Sequence, residues 1–249
     1  MEGGSDLPDV FAIGDLHLSF SSAKPMDVFG KNWEHHAEKL EHAWLSLVRP
    51  EDLVLIPGDI SWAMHFEDAL PDLAFLEHLP GKKLLLRGNH DYWWGSLSRL
   101  RASLGPASFV LQNDVFRFGN LSICGTRGWI CPGSPSFTDQ DQKIYLREVQ
   151  RLSLSLDCAD PGTEILVMLH FPPWNEKHQD SLFTELLESR GVRTVLYAHL
   201  HGGSLRNAFE GERNGILYRC VSSDFLDFRP SLILPSLSNP DPEQQEVTI

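Results

Sequence analysis

The stretch LRGNHDYWWG (residues 86–95) sets Gly, Asn, His and Asp in a row directly after the apolar run KKLLL. An apolar run that ends at a glycine is typical of a buried strand followed by a sharp turn. The turn needs only the Gly and the Asn, whereas the adjacent His and Asp are residue types that carry chemistry. We therefore expect a functional site where this strand ends.

Other short apolar runs end in the same way. The first is followed by Gly14-Asp15-Leu16-His17 and the second by Gly58-Asp59, and later runs end at His170 and at His199-Leu200-His201. Ligands of α/β sheets bind at the carboxyl ends of the strands, so neighbouring strands should bring these side chains together. The buried strands are predicted at 9–14, 52–58, 82–88, 121–125, 164–170, 193–199 and 216–221.

Helical segments alternate with these strands and predict an α/β fold. One helix is expected around Trp33–Val48, where apolar residues recur at helical spacing, and others over 142–156 and 180–191, the last capped by Gly191. Two long loops, 19–31 and 125–142, are typical of a binding site. We expect a single domain, 1–249, whose tail at 229–249 wraps the surface or frays.

Composition excludes several classes of function. With 21 basic and 34 acidic residues the net charge is −13, which repels a phosphate backbone, so general nucleic-acid binding is not expected. No apolar run approaches the ~18 residues of a membrane span, and the N-terminal MEGGSDLPDV has no signal-peptide core. The four cysteines form no CxxC pair and are expected to be reduced thiols. These features predict a cytoplasmic protein that does not bind membranes.

The polar residues at the strand ends fit a metal site. Each alone is ordinary, since a histidine after a strand is more often packed in a core, but their joint occurrence in order favours a metal centre. Oxygen and nitrogen ligands without a thiolate favour Mn²⁺, Fe, Zn²⁺ or Co²⁺ over Ca²⁺. The candidates are too many for one tetrahedral ion and suit two ions ~3.5–4 Å apart that share a carboxylate. The candidate ligands are Asp15, His17, Asp59, Asn89, His170, His199 and His201.

Five blocks of the sequence, taken in their order along the chain, resemble the motifs of the calcineurin-like metallophosphoesterase superfamily. The blocks are GDLH (14–17), GD (58–59), GNHD (88–91), H (170) and HLH (199–201). The resemblance implies a four-layer α/β/β/α sandwich with two mixed β-sheets and a dinuclear site at the carboxyl ends of the strands. It implies that one metal is held by Asp15, His17 and His201. By the same resemblance Asn89, His170 and His199 hold the second, and Asp59 bridges the two.

The resemblance also assigns roles in the opening stretch. His90 would lie near the leaving group, as a proton donor or as a stabiliser of negative charge. Asp91 would orient His90, as a carboxylate often orients an imidazole. The aromatic residues 92–94 either begin the next helix and pack in the core, or one of them forms a wall of the substrate pocket.

Three departures from the family pattern bear on the substrate. Trp62 stands where the second block usually carries a further Asp, and Ala198 stands where the last block usually begins with Gly. Asp91 replaces the Glu common in Ser/Thr protein phosphatases, and together with the short chain this disfavours a protein substrate. Further candidate substrate contacts are Arg127, Trp129 and His65, with a surface ion pair as the alternative for Arg127.

The implied activity is hydrolysis of a small phosphodiester, such as a cyclic nucleotide, by in-line attack of a hydroxide that bridges two divalent ions, with Mn²⁺ favoured. A phosphomonoesterase or a nucleotide pyrophosphatase is the alternative within the same class. A binding module that has lost catalysis is the alternative from another class, and the complete ligand set with His90 argues against it. The acidic composition and the absence of a basic stripe disfavour a nuclease.

Overall fold

The computed structural model describes residues 8–21, 24, 26 and 30–235. The helices of this part are α1 (His36–Leu47), α2 (Phe66–His78), α3 (Leu97–Ser103), α4 (Asp139–Leu156) and α5 (Leu182–Ser189). The strands are β1 (Val10–Ala12), β2 (Leu53–Pro57), β3 (Lys82–Leu86), β4 (Ser108–Val110), β5 (Phe116–Phe118), β6 (Leu121–Thr126), β7 (Glu164–Leu169), β8 (Thr194–Tyr197), β9 (Gly211–Arg213), β10 (Ile216–Cys220) and β11 (Ser231–Leu234).

The strands form two mixed sheets. The first has the order β11-β1-β2-β3-β4, in which β1 to β4 are parallel and β11 runs antiparallel to β1. The second has the order β5-β6-β7-β8-β10-β9, in which the four inner strands are parallel and the edge strands β5 and β9 are antiparallel. The parallel strands of each sheet thus end at one edge, where the polar residues follow them.

Three apolar cores separate four layers. Alternate residues of a strand face opposite sides of its sheet, and β2 shows this directly. Val54 and Ile56 pack in the core shared with α1, α2 and α3, whereas Leu53 and Leu55 pack in the core between the two sheets. On the far side of the second sheet, Val167 packs in a third core with α4 and α5. The predicted α/β/β/α sandwich is confirmed.

The ends of two helices follow local sequence signals. The helix α4 begins three residues before its prediction, because Thr138 and Asp141 form a capping box in which each side chain accepts from the other's backbone N–H. The helix α5 is followed by the predicted C-terminal cap, Gly191, whose φ of +65° is the left-handed conformation typical of such a cap. The backbone N–H of Val192 then donates to the carbonyl of Leu187, as in a Schellman motif.

All seven predicted strands are present, with four further strands that we did not predict: β4, β5, β9 and β11. The helices α2 and α3 were not predicted either. The segment 229–249, expected as a tail, contributes the edge strand β11, and 236–249 lies outside the described residues. Much of the predicted loop 19–31 also lies outside them. The single-domain assignment stays a prediction. Within the described ranges, no helix has the length and apolar character needed to cross a membrane.

Hydrogen bonds to backbone carbonyl groups join the two sheets at the edge where the candidate ligands lie. The N–H of Gly14, after β1, donates to the carbonyl of Val221, after β10, at 2.6 Å. The hydroxyl of Ser223 donates to the carbonyl of Gly14 at 2.7 Å. Nδ1 of His170, after β7, lies 3.0 Å from the carbonyl oxygen of Pro57 at the end of β2. Residues that follow strands of both sheets therefore meet in one place.

Candidate metal centre

The structure brings the candidate ligands together in two groups. Within each group, one ligand atom from every member lies within 4.8 Å of the others. The groups are Asp15, His17 and His201, and Asp59, His170 and His199. These are the two sets that the resemblance implies, with Asp59 placed in the second.

Asn89 and Asp59 complete the arrangement. Oδ1 of Asn89 lies 2.7 Å from Nε2 of His170, so the amide belongs to the second group. Oδ2 of Asp59 lies 3.4 Å from Nε2 of His170 and 3.7 Å from Nε2 of His17. Asp59 therefore faces both groups, which is the position that a bridging carboxylate requires.

The acceptors around His170 show that this group fits a cation. Its Nδ1 faces the carbonyl oxygen of Pro57, which can only accept, so Nδ1 carries the hydrogen and Nε2 presents a lone pair. Burial lowers the pKa of His170 to about 4, which keeps the ring neutral. Its lone pair faces Oδ1 of Asn89 at 2.7 Å and Oδ2 of Asp59 at 3.4 Å. A divalent ion satisfies all three atoms.

The first group also favours positive charge. Oδ1 of Asp15 is buried without a hydrogen-bond partner, 3.5 Å from Nε2 of His201. Burial lowers the pKa of His201, but the carboxylates of Asp15 and Asp224 raise it to about 10. Burial raises the pKa of Asp15, but His201, His170 and His17 hold it well below its usual range. An ionised carboxylate and inward-facing imidazole nitrogens suit a divalent ion here.

A family model for calcineurin-like phosphoesterases matches residues 9–203, which include all seven candidate ligands. The chain belongs to the calcineurin-like phosphoesterase family. Its reaction is thus metal-dependent hydrolysis of phosphoesters, and the family binds two divalent metal ions.

Three known proteins illustrate what this chain is similar to. The gene 66 protein of Mycobacterium phage D29 is 25% identical over 209 residues, which cover 83% of this chain and 85% of that protein. The gene 66 protein of Mycobacterium phage L5 is 34% identical over 77 residues, which cover 31% of this chain and only 37% of that protein. The phosphopantetheinyl hydrolase of Mycobacterium tuberculosis shares the fold, with a TM-score of 0.53 at 14% identity over 94% of this chain and 99% of that one.

The backbone of the phosphoesterase centre is strained where the ligands are. Left-handed φ angles are uncommon outside glycine, although Asp and His tolerate them better than most residues. Each such residue costs on the order of 1–3 kcal/mol and persists only where the surrounding structure holds it. Four of the seven candidate ligands have positive φ: Asp15 (56°), His17 (46°), Asp59 (51°) and His199 (73°).

Two glycines allow the ends of β2 and β3 to touch. A Cβ atom on Gly58 would lie 2.7 Å from the Cα of Gly88, and a Cβ on Gly88 would overlap Asp59. Gly58 also has a φ of +93°, which a side chain would disfavour. These glycines therefore leave room beside the ligands.

The predicted role of Asp91 is wrong. Its carboxylate does not contact His90 but accepts five hydrogen bonds within the loops after β2 and β3. Oδ2 accepts from the backbone N–H groups of Asp59 (2.9 Å) and Gly88 (2.7 Å). Oδ1 accepts from the backbone of residues 60 and 61 and from Nε1 of Trp93 at 3.0 Å. The turn at the end of β3 directs the side chain of Asp91 inward, toward these backbone donors. Asp91 therefore fixes the backbone that carries Asp59.

His90 lies at the edge of the centre beside an aromatic wall. Its ring centroid is 4.4 Å from that of Trp62, which in turn stacks on His17 at 4.7 Å with an interplanar angle of 21°. The backbone N–H of His90 donates to Oδ1 of Asp59 at 2.8 Å. Burial lowers the pKa of His90. The indole of Trp62 thus occupies the place of the usual acidic residue and positions both histidines.

The remaining candidate contacts have separate environments. Trp93 and Trp94 pack in the core, whereas Tyr92 is 51% exposed with its ring 6.1 Å from that of His90. The core alternative therefore holds for the two tryptophans, but α3 begins only at Leu97. Arg127 forms an ion pair with the buried Glu148, Nη2 to Oε1 at 3.3 Å. His65 is exposed, immediately before α2.

Asp224 was not among the candidates found in the sequence. Its Oδ1 lies 3.0 Å from Nδ1 of His201, and its Oδ2 accepts from the backbone N–H of Gly202 at 2.9 Å. Such a partner fixes the ring, so that Nε2 would be the atom available to a bound ion. The sequence did contain a signal: the last predicted strand had no assigned polar residue at its end, and the segment VSSD at that end contains Asp224.

The structure predicts that Asp91→Ala destabilises the chain even without metal. The change leaves five buried N–H donors without an acceptor, each costing about 1–3 kcal/mol. We expect urea denaturation in EDTA to show a loss of at least ~3 kcal/mol in the free energy of unfolding. Trp93→Phe, which removes one donor, is the matched control with a smaller loss. Unchanged stability of Asp91→Ala would contradict this structural role of the carboxylate.

Asp59 and Asp224 are expected to differ in their effect on metal content. Asp59→Asn should lose both ions, because its carboxylate faces both ligand groups. Asp224→Asn keeps every ligand and should weaken the affinity for one of the two ions about 10–100-fold. Mass spectrometry of metals after dialysis checks both, with the exposed Asp180→Asn as control. An Asp59→Asn protein that retains one tightly held ion would contradict the bridging position.

Proposed function

We propose that this phosphoesterase hydrolyses phosphodiesters of small molecules, cyclic nucleotides among them, and that Mn²⁺ is its preferred metal. The observation that carries the proposal is a cavity of about 200 Å³ that His199 helps to line. Trp129, Phe171 and Trp174 provide its aromatic walls, and its lining includes no lysine or arginine from the part of the chain that the structure describes. A diester differs from a monoester in its second organic group, and this cavity offers that group an aromatic surface.

The ligands of the two groups would hold the ions in the proposed reaction. When bound, two divalent ions lower the pKa of water and neutralise the charge of the phosphoryl group. The Nδ2 group of Asn89 donates to a phosphoryl oxygen. His90 donates to the leaving oxygen and stabilises the negative charge that develops there. Trp62 excludes water from the side on which it packs against His90.

The polar residues of the cavity suit an uncharged polar group. Asn175 donates to the carbonyl of Pro132 at 2.9 Å, and Ser134 donates to Glu176 at 2.8 Å. Oδ1 of Asn175 already accepts from two backbone N–H groups. The remaining acceptors of the lining, the Ser134 hydroxyl and the Glu176 carboxylate, suit a ring that carries N–H donors, as nucleobases do. The carboxylate of Glu176 disfavours a second anion in this cavity.

A cytoplasmic location is part of the same proposal. All four cysteines are free thiols, and three of them are buried. Burial raises the pKa of Cys131 to about 12, which keeps that thiol protonated and unreactive. Unpaired cysteines are typical of proteins in a reducing compartment.

An activity screen tests the proposal. The metal-loaded chain is assayed on bis(p-nitrophenyl) phosphate, cyclic AMP and p-nitrophenyl phosphate, with Mn²⁺, Zn²⁺, Co²⁺ or Fe²⁺. We expect hydrolysis of the diesters at least ~10-fold above the monoester, a difference of about 1.4 kcal/mol in the barrier, and the highest rate with Mn²⁺. A higher rate on the monoester would favour a phosphomonoesterase. Bound metal without turnover on any ester would favour a binding module.

His90→Ala should retain both ions and lower kcat by about 10²–10⁴-fold. The loss should be largest for diesters with a poor leaving group, because a good leaving group needs little stabilisation. Metal content and kcat measured on the same preparation check this, with the exposed His42→Ala as control. A full rate on a poor leaving group would contradict the role of His90.

A further inference from the structure

A second cavity, of about 100 Å³, lies at the same edge of the sandwich, where β3, β4 and β6 end. Its lining contains three arginines and one carboxylate: Arg87, Arg127, Arg151 and Glu148. This surplus of positive charge contrasts with the net charge of −13 of the whole chain. A basic cavity in an acidic protein attracts an anion locally.

The single carboxylate is already fully engaged. Glu148 is completely buried and forms ion pairs with Arg127 at 3.3 Å and Arg151 at 2.8 Å. It also accepts from the hydroxyl of Thr126 at 2.6 Å. Among the described residues, Arg87 has neither a hydrogen-bond nor an ion-pair partner. Nε of Arg87 and Nε of Arg127 are both buried without an acceptor.

The positive charges of the three arginines repel one another in this cavity. Arg127 and Arg151 share the carboxylate of Glu148, whereas Arg87, in the same lining, has no carboxylate partner among the side chains that the structure describes. Guanidinium groups that are withdrawn from water are costly unless they are paired. A planar guanidinium donates two parallel hydrogen bonds to a phosphate, so a bound phosphoryl group would satisfy the unpaired donors.

This cavity adjoins the metal centre. Arg87 precedes Asn89 by two residues, so their Cα atoms are at most ~7 Å apart. The carbonyl of Arg127 accepts the backbone N–H groups of His170 at 3.1 Å and of Phe171 at 2.9 Å. Both neighbours, Asn89 and His170, belong to the second ligand group. Two residues that line the cavity, Arg87 and Arg127, are thus backbone neighbours of the second ligand group.

We propose that Arg87, Arg127 and Arg151 form a second anion site that binds a phosphoryl group of the substrate other than the one hydrolysed. The inference rests on the proposed function and narrows its substrate class to diesters with a further phosphoryl group, such as nucleotides with a pyrophosphate linkage. The oxygen of water bonds to one phosphorus of the P–O–P linkage, and the bond from that phosphorus to the bridging oxygen breaks. The bridging oxygen leaves with the other phosphorus and takes up a proton, so the products are two phosphomonoesters. The cavity lined by Trp129 takes the organic group on one side.

A matched pair of substrates tests the site on the metal-loaded chain. The methyl ester of AMP and the β-methyl ester of ADP share both organic groups and differ by one phosphoryl group. Arg87→Gln should lower kcat/KM for the ADP ester about 10–100-fold more than for the AMP ester, the range of a lost charge-assisted hydrogen bond. Arg87→Lys, which keeps the charge, should recover part of the loss. The exposed Arg99→Gln should behave like wild type on both esters.

Equal losses on the two esters, or no loss on either, would overturn the second anion site. If wild type hydrolyses no diester at all, the proposed function fails instead, and a binding measurement still decides on the site. Calorimetry with inorganic phosphate on Asp59→Asn, which lacks the bridging ligand, should show binding that Arg87→Gln in the same chain weakens about 10-fold or more. Phosphate binding unaffected by Arg87→Gln would also overturn it.

Discussion

The close contact between the ends of β2 and β3 is the constraint on which the centre depends. The glycines at 58 and 88 leave no side chain between the two backbones, and the Asp91 carboxylate ties both loops by accepting five N–H groups. Asp59 is fixed by this contact in a left-handed conformation, with its carboxylate facing both histidine groups. Without it, the two ligand groups would have no shared oxygen, and a phosphoryl group would meet two unrelated sites.

Charge is organised around this contact in a mostly buried environment. Burial, Asp91 and Asp15 together raise the pKa of Asp59 well above its usual range, so the metal-free centre disfavours its ionised form. Divalent ions reverse that preference, because they stabilise the carboxylate. The metal-free centre thus combines unfavourable electrostatic interactions with strained backbone angles, and the binding of the ions offsets both. The aromatic cavity is lined in part by His199, and the arginine cavity is lined in part by the residue two positions before Asn89, so two chemically different cavities lie near the same edge of the sandwich.

The strand-end residues were predictable because parallel strands end together, and ligands of α/β sheets bind at that edge. The two groups around Asp59 required the fold, since sequence order does not say which strand ends meet across two sheets. Adjacency to His90 misled the interpretation of Asp91, whose side chain turns toward backbone donors 30 to 32 residues away in sequence, as well as to near neighbours. Asp224 was missed because it follows its strand by several residues. The helix α2 contains Pro71, and β4, β5 and β9 have three residues each, too few for a periodic pattern.

Anomalous diffraction at the manganese edge from crystals grown with Mn²⁺ tests the dinuclear centre most directly. We expect two peaks ~3.5–4 Å apart, one among Asp15, His17 and His201 and the other among Asn89, His170 and His199, with Asp59 contacting both. A single peak, or two peaks that do not share Asp59, would contradict the dinuclear centre.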